Sequence, residues 1–354
     1  MKIITVLGAR PQFVKAATVS RALKASNSNL EEKILHTGQH YDVNMSDVFF
    51  EEMGIPKPDF RLDVNNKGHG AMTGQMLKEI EEILIAEKPS IVLVYGDTNS
   101  TLAGALAAKK LHIPIAHVEA GLRSFNIKMP EEINRILTDR ISDLLFCPTE
   151  NAVENLKKEG FDTIDCEVLN VGDVMYDGAL HYAKSIKERA IENDYVLSTI
   201  HRAENTDDVS RLTGIISALN KINEDISVVV PLHPRTRKII DNLDLQVNFK
   251  ILEPVGYLKM VNLIKYANLV ITDSGGLQKE AFFFGKYCVT TRDETEWVEM
   301  VEYNFNILAG ADEDKILESY NILIKKPFVK TIEPYGKGNS AHLIAKKIES
   351  FLSK

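Results

Sequence analysis

Two short β-branched runs joined by one helical stretch constrain this chain more than any other feature. Residues 90–94 run into Gly96-Asp97-Thr98, and residues 113–118 run into Glu119-Ala120-Gly121-Leu122-Arg123. Between them, residues 100–111 are rich in Ala and Leu, with Gly104 as their one breaker. Strands joined by a single helix in this way are parallel, because the crossover returns the chain to the edge it left. Asp97 and Glu119 are thereby expected at the carboxyl ends of parallel strands, the edge where open α/β sheets hold their ligands. Pro130-Glu131-Glu132 reads as the opening of a further helix, with proline at its start and acids in its first turn, and Arg135 follows one turn on. Asp97, Glu119 and Glu131, with Arg123 and Arg135, are expected to share one crevice.

The same alternation runs through the whole chain. At 354 residues, 44% apolar and 26% charged, it is an ordinary globular protein whose length favours two domains. A net charge of -8 argues against nucleic acid or an anionic membrane surface as a partner. No apolar run reaches the roughly 18 residues of a membrane span, and the opening MKIITVLGARPQF lacks a signal-peptide pattern, so a cytoplasmic protein is expected. Cys147, Cys166 and Cys288 are scattered without metal-ligand spacing and read as small buried apolar residues.

Taken in order, residues 3–7 form an apolar run cut off by Gly8-Ala9-Arg10-Pro11, and residues 12–23 continue at helical spacing. A strand-turn-helix opening of this kind points backbone N–H groups at an anion, and Arg10 and Lys15 would add full charges; an ordinary turn with solvated cations reads equally well from spacing. His36-Thr37-Gly38-Gln39-His40 ends the next strand, and residues 68–87 carry the apolar spacing of an amphipathic helix. Residues 144–147 and 168–171 read as strands, 150–159 as a helix, and 172–193 as a polar connection between domains. Strands are expected again at 195–200, 227–231, 249–252, 268–272, 287–291 and 305–308.

The second half has its own strand-end signals. His201-Arg202-Ala203-Glu204-Asn205 and His233-Pro234-Arg235 each follow a strand, although a lone histidine is more often a satisfied structural group. In Asp273-Ser274-Gly275-Gly276-Leu277-Gln278-Lys279-Glu280 a hydroxyl and two glycines stand where strand passes to helix. Free N–H groups there can cradle a phosphate, and Glu280 can accept ribose hydroxyls; a simple N-cap is the structural reading of the same pattern. Arg292 to Trp297 adds one more cation and the only tryptophan. Gly336 to Ala341 fits a dinucleotide fingerprint, but no βαβ unit follows it, so no nicotinamide site is read. Residues 340–352 form an amphipathic terminal helix.

Together, Gly8-Ala9-Arg10-Pro11, Gly96-Asp97-Thr98, Val118 to Arg123, Pro130 to Arg135, His201-Arg202, Asp273 to Glu280 and Arg292 to Glu296 resemble the non-hydrolysing UDP-N-acetylglucosamine 2-epimerase family, in order along the chain. The resemblance implies an α/β fold of two Rossmann-like, doubly wound parallel-sheet domains facing across a cleft, the GT-B type. It implies an N-terminal domain of residues 1–172 carrying the acid/base carboxylates, with residues 340–354 packing back on it, and a UDP-binding domain of residues 173–339. A homodimer, no redox cofactor and no metal are also implied.

The chemistry is consistent with such a site. The C2 proton of a UDP-2-acetamido sugar has no neighbouring carbonyl to acidify it, so inversion proceeds through departure of UDP, a 2-acetamidoglycal, and re-addition. That needs cations for the diphosphate and acids or bases on both ring faces. The resemblance makes Asp97, Glu119 and Glu131 the acid/base carboxylates and His201 a diphosphate contact or proton donor. Arg10, Lys15 and Arg135 become phosphate and site-ordering cations, and Ser274, Gly275, Gly276, Glu280 and Arg292 the UDP-binding residues. Gln39 and His40 match part of the family's regulatory UDP-sugar site.

Departures point to a branch. Where the family opens Gly-Thr-Arg-Pro-Glu, this chain has Ala9 and Gln12, and Thr295-Glu296-Trp297 replaces another family motif. These variants look closer to epimerases of UDP-2,3-diacetamido-2,3-dideoxy-D-glucuronate, and a neutral residue 12 would suit a nearby substrate carboxylate. UDP-N-acetylglucosamine is the alternative substrate. A GT-B glycosyltransferase, a hydrolysing epimerase and a nucleotide-sugar sensor are the rival readings; the transferase has less use for three acids, and the sensor would bind without C2 chemistry.

Overall fold

A computed structural model describes residues 1–26, 29–39, 57–64 and 68–353, except the side chains of Arg10 and Pro11; His40 lies outside the described residues. The chain divides into two units, residues 1–178 with 333–354, and residues 179–332.

In the first unit β1 (Lys2–Leu7), β2 (Glu31–His36), β3 (Phe60–Arg61), β4 (Ile91–Tyr95), β5 (Ile115–Val118), β6 (Leu144–Cys147) and β7 (Glu167–Asn170) form a parallel sheet in the order β3-β2-β1-β4-β5-β6-β7. Its crossovers include α1 (Arg10–Ala25), α2 (His69–Glu87), α3 (Asn99–Lys110), α4 (Pro130–Ile141) and α5 (Glu150–Lys158). Helices on both faces bury β4, β5 and β6 completely, which is why those strands read as unbroken apolar runs rather than alternating ones. Ile4, Val6, Val92 and Val94 pack against Met76, Ile80 and Leu84 of α2, so the methionine there belongs to the core.

Residues 172–193, expected as a polar connection, contain α6 (Val174–Ala183) instead. Val174, Met175, Ala179 and Tyr182 are buried at helical spacing, and the division between units falls within this helix. The chain later returns to the first unit, where the Asp173 N–H donates to the Tyr335 carbonyl at 3.0 Å and the Ala341 N–H to Asp177 Oδ2 at 2.8 Å. Asp177 thereby satisfies one of the free N–H groups opening α14 (Ser340–Leu352), which packs on α1.

In the second unit β8 (Tyr195–Thr199), β9 (Ser227–Pro231), β10 (Lys250–Leu252), β11 (Leu269–Thr272), β12 (Cys288–Thr290) and β13 (Asn306–Leu308) form a second parallel sheet, ordered β10-β9-β8-β11-β12-β13. Its helices include α7 (Ala203–Thr206), α8 (Val209–Asp225), α9 (Pro234–Asn242), α10 (Tyr257–Tyr266), α11 (Gly275–Phe283), α12 (Val298–Glu302) and α13 (Glu313–Leu323). In each sheet the strand order reverses once, between β1 and β4 and between β8 and β11. Loops leaving neighbouring strands at such a point turn to opposite faces and open a crevice. Ala9 and Asp97 flank the first switch point, His201 and Ser274 the second. No helix among the described residues is long and apolar enough to cross a membrane.

Candidate active site

The first switch point is built by close approach. A Cβ on Gly8 would stand 1.9 Å from Ser100 Oγ and 2.3 Å from Thr37 Oγ1, so only glycine lets β1 turn there beneath α3. Gly96, at φ 61, turns the chain after β4 and presents Asp97. Arg135 of α4 pairs with Asp97 Oδ2 through Nη2 and with Glu132 Oε2 through Nη1 at 2.9 Å, while Asn134 Nδ2 donates to the Asp97 carbonyl at 2.9 Å. Burial raises the Asp97 carboxyl above its ordinary value; Arg135 opposes the rise and the nearby Glu119 adds to it.

Glu119 follows β5 directly and sits at φ 73, a left-handed conformation that a non-glycine residue adopts only under constraint. The Glu119 and Ala120 N–H groups donate to the Phe146 carbonyl at 3.0 and 3.1 Å and hold it there. Its carboxylate pairs with Lys15 of α1, which is 7% exposed. Two carboxylates on neighbouring strand ends thus each have their own cation.

Glu131 is exposed on the first turn of α4 and has no side-chain partner recorded among the described residues, whereas the adjacent Glu132 is 1% exposed. Glu132 accepts from Ser124 N and Oγ, both at 3.0 Å, and from Phe125 N at 2.9 Å, fastening the loop before α4. By spacing Glu132 is a first-turn acid only; its burial depends on a loop seven residues away that no local spacing reveals. Arg123, expected at the crevice, lies below it instead, paired with Asp139 at 2.7 Å and with Glu159 at 2.7 and 2.8 Å. Glu159 closes α5 and offers that guanidinium a bidentate partner.

Gln12 has a structural part at the same switch point. It is 1% exposed, its Oε1 accepts from the Gly8 and Ala9 N–H groups at 2.7 and 3.0 Å, and its Nε2 faces the Tyr95 carbonyl, Thr98 Oγ1 and Thr101 Oγ1 at 2.7, 3.0 and 2.9 Å. Its amide straps the β1–α1 turn to the β4–α3 turn, so its polar capacity is used inside the unit. Gln39 is likewise engaged within the unit, accepting from Ser100 N and Oγ at 3.0 and 2.7 Å.

The second switch point is organised by Asp273, which is fully buried. Its carboxylate accepts from His201 N at 3.1 and 2.9 Å, Arg202 N at 2.9 Å and Asn205 Nδ2 at 3.3 Å, fixing the turn after β8. The His201 ring is exposed and meets His233 edge to face at 5.6 Å. Ser274 caps α11, accepting from Leu277 N, and Gly275 and Gly276 form its first turn. A Cβ on Gly275 would stand 2.2 Å from Glu296 Oε1, while one on Gly276 meets nothing within 4 Å. Glu280 is 5% exposed one turn along α11. Arg292, also 5% exposed, pairs with Glu296 at 2.9 Å. Burial pushes the Glu296 carboxyl up, but Arg292, a backbone N–H and Arg202 together outweigh it and the net direction is down. The arrangement supplies acid/base groups at one switch point, and a helix N-terminus with cations at the other.

Residues 21–349 match the family model described as UDP-N-acetylglucosamine 2-epimerase. The chain is 56% identical over 98% of its length to UDP-2,3-diacetamido-2,3-dideoxy-D-glucuronate 2-epimerase of Pseudomonas aeruginosa, of which it covers 98%. It is 43% identical to UDP-N-acetylglucosamine 2-epimerase of Methanocaldococcus jannaschii, with 98% of each chain covered. Among solved structures, that of UDP-GlcNAc 2-epimerase from the same archaeon, in complex with UDP-GlcNAc and UDP, superposes with a TM-score of 0.89 at 42% identity, covering 99% of this chain and 100% of the other. The two parallel-sheet α/β domains and their order along the chain are therefore shared with these isomerases, and the chain belongs to the UDP-N-acetylglucosamine 2-epimerase family.

Proposed function

We propose that the chain inverts C2 of UDP-2,3-diacetamido-2,3-dideoxy-D-glucuronate, giving the manno epimer as a precursor for a surface polysaccharide. The observation that carries the mechanism is the pairing of Asp97 with Arg135 and of Glu119 with Lys15 at neighbouring strand ends. The C1–O bond breaks and its electron pair leaves with UDP as a carboxylate takes the C2 proton, forming the C1–C2 double bond of the glycal. C2 then receives a proton on its other face and the diphosphate oxygen re-forms the bond to C1. No electrons are gained or lost overall, so the cycle uses no redox cofactor. Asp97, Glu119 and Glu131 serve the two faces, and Arg10, Lys15 and Arg135 order the site and meet developing negative charge. His201, Ser274, Gly275, Gly276, Glu280 and Arg292 hold UDP; the capped start of α11 supports this assignment.

The choice of sugar rests on the 56% identical relative; UDP-N-acetylglucosamine, the sugar named for relatives at 43% and 44% identity, is the second reading. Exposed Ile133 and Leu137, one turn apart on α4, supply an apolar face for the homodimer proposed here, in a cytoplasmic enzyme.

Proton NMR in deuterated water tests this directly, with each sugar nucleotide supplied separately and no cofactor added. Deuterium at C2 with a new manno anomeric signal from the diacetamido uronate is the expected result. Turnover of UDP-N-acetylglucosamine alone would overturn the choice of sugar, and binding without exchange for either would overturn the epimerase reading.

A further inference from the structure

His117, on β5 two residues before Glu119, is fully buried, and both of its ring nitrogens face hydrogen-bonding oxygens. Nε2 lies 2.7 Å from the Gly96 carbonyl, and Nδ1 lies 2.7 Å from Asp139 Oδ1. A carbonyl only accepts, so Nε2 carries a hydrogen. Asp139 is fully buried and its other oxygen accepts from Gly121 N at 3.1 Å and from Arg123 Nη1 at 2.7 Å, the environment of an ionised carboxylate. An ionised Asp139 only accepts as well, so Nδ1 also carries a hydrogen. Charge balance agrees: with a cationic ring, His117 and Arg123 offset Asp139 and Glu159, whereas a neutral ring leaves this largely buried network with an excess anion.

We propose that His117 donates from both ring nitrogens and is the positioning residue that fixes Asp97 relative to Arg135. One N–H holds the carbonyl of Gly96, the residue before Asp97, and the other holds Asp139, one turn beyond Arg135 on α4. The ring itself stands on the strand that ends in Glu119. The ends of β4 and β5 and the helix behind them are thus tied at one point beneath the reacting groups, where small displacements have large effects on rate. The titratable and charged groups around the ring are Asp139 of α4, Arg123 beyond β5, Glu159 closing α5, Cys147 of β6, and Asp97 beyond the Gly96 carbonyl. Glu119 and Lys15 stand beside Gly96, beyond the same carbonyl. Arg123 is a cation that shares Asp139 with the ring but takes its other oxygen, and the Cys147 thiol is pushed up by burial and stays neutral.

The inference rests on Asp97 being a reacting carboxylate, and the experiment has two independent arms. In the full chain labelled with nitrogen-15 histidine, one ring is expected to show both nitrogens bearing hydrogen at neutral pH, as the two short contacts to acceptor oxygens require. His117→Gln identifies that resonance by its loss, and the wild-type spectrum decides the point even if the variant fails to fold. Finding only one nitrogen of that ring bearing hydrogen overturns the double donation. In the second arm, the folded His117→Gln protein is expected to lose about 100-fold in kcat with KM and UDP affinity within about threefold, the signature of misplaced chemistry rather than lost binding. An unchanged kcat overturns the positioning role. Full activity in Asp97→Asn would instead overturn the assignment of Asp97 and leave the spectroscopic arm standing.

Discussion

The Arg135 guanidinium joins the Asp97 carboxylate to the buried Glu132 carboxylate, placing one cation between two acids at the end of β4. Asp97 is therefore tuned by opposing influences, with burial raising it and Arg135 restraining the rise. Arg135→Met should lower kcat about 100-fold and move the acidic limb of the kcat/KM profile to higher pH, since the ionised carboxylate forms less readily without its partner. The stability effect has a definite sign. A carboxyl raised above its unfolded value favours the folded state at acid pH and loses that contribution as pH rises through the folded value. Thermal melts should thus show a larger loss in Arg135→Met at about pH 8 than at about pH 5.

Gly275 and Gly276 are adjacent but unequal. Alanine at 275 drives a methyl group into Glu296, which Arg292 holds in place, and should destabilise by about 1–3 kcal/mol. Alanine at 276 meets open space and should leave the melting temperature unchanged while weakening UDP binding several-fold, as judged by calorimetry. Equal melting temperatures for the two variants would contradict the packing described for Gly275.

Gln12→Ala removes an amide strap from a buried turn and should lose about 2–4 kcal/mol in denaturant unfolding, because the Gly8 and Ala9 N–H groups and the Tyr95 carbonyl lose partners together. Gln12→Glu should leave the ratio of kcat/KM for the two candidate sugars within about threefold, since residue 12 lies inside the unit. A large change in that ratio would restore its role in selecting a substrate carboxylate.

Asp273→Ala should be among the most damaging single changes in the second unit. It strips the His201 and Arg202 N–H groups and the Asn205 amide of their shared acceptor, with an expected loss of about 3–5 kcal/mol by chemical denaturation. Asp273→Asn retains an acceptor oxygen and should recover part of that stability while still raising KM for the UDP-sugar, because the turn carrying His201 is no longer held by a charge.

The βαβ alternation, the parallel sheets and the strand-end positions of Asp97, Glu119, His201 and Ser274 were legible in the amino-acid order, because each depends on residues close together along the chain. The helix at 174–183 merges in the sequence with the polar run of residues 184–194 that follows it, although Val174, Met175, Ala179 and Tyr182 fall at helical spacing. Whether a given side chain turns toward the crevice or away from it was decided by the tertiary structure. Glu131 and Glu132 are indistinguishable by spacing, yet a loop seven residues earlier buries only the second. Arg123 reads as a site cation until α5 presents Glu159 to it, 36 residues further on. Gln12 reads as a specificity residue until β4 presents a carbonyl 83 residues away. His117 looks like part of an apolar strand until Gly96 and Asp139 close on its two nitrogens. Local order determines which residues stand at a strand end; which of them remain available for chemistry depends on partners that only folding brings within hydrogen-bonding distance.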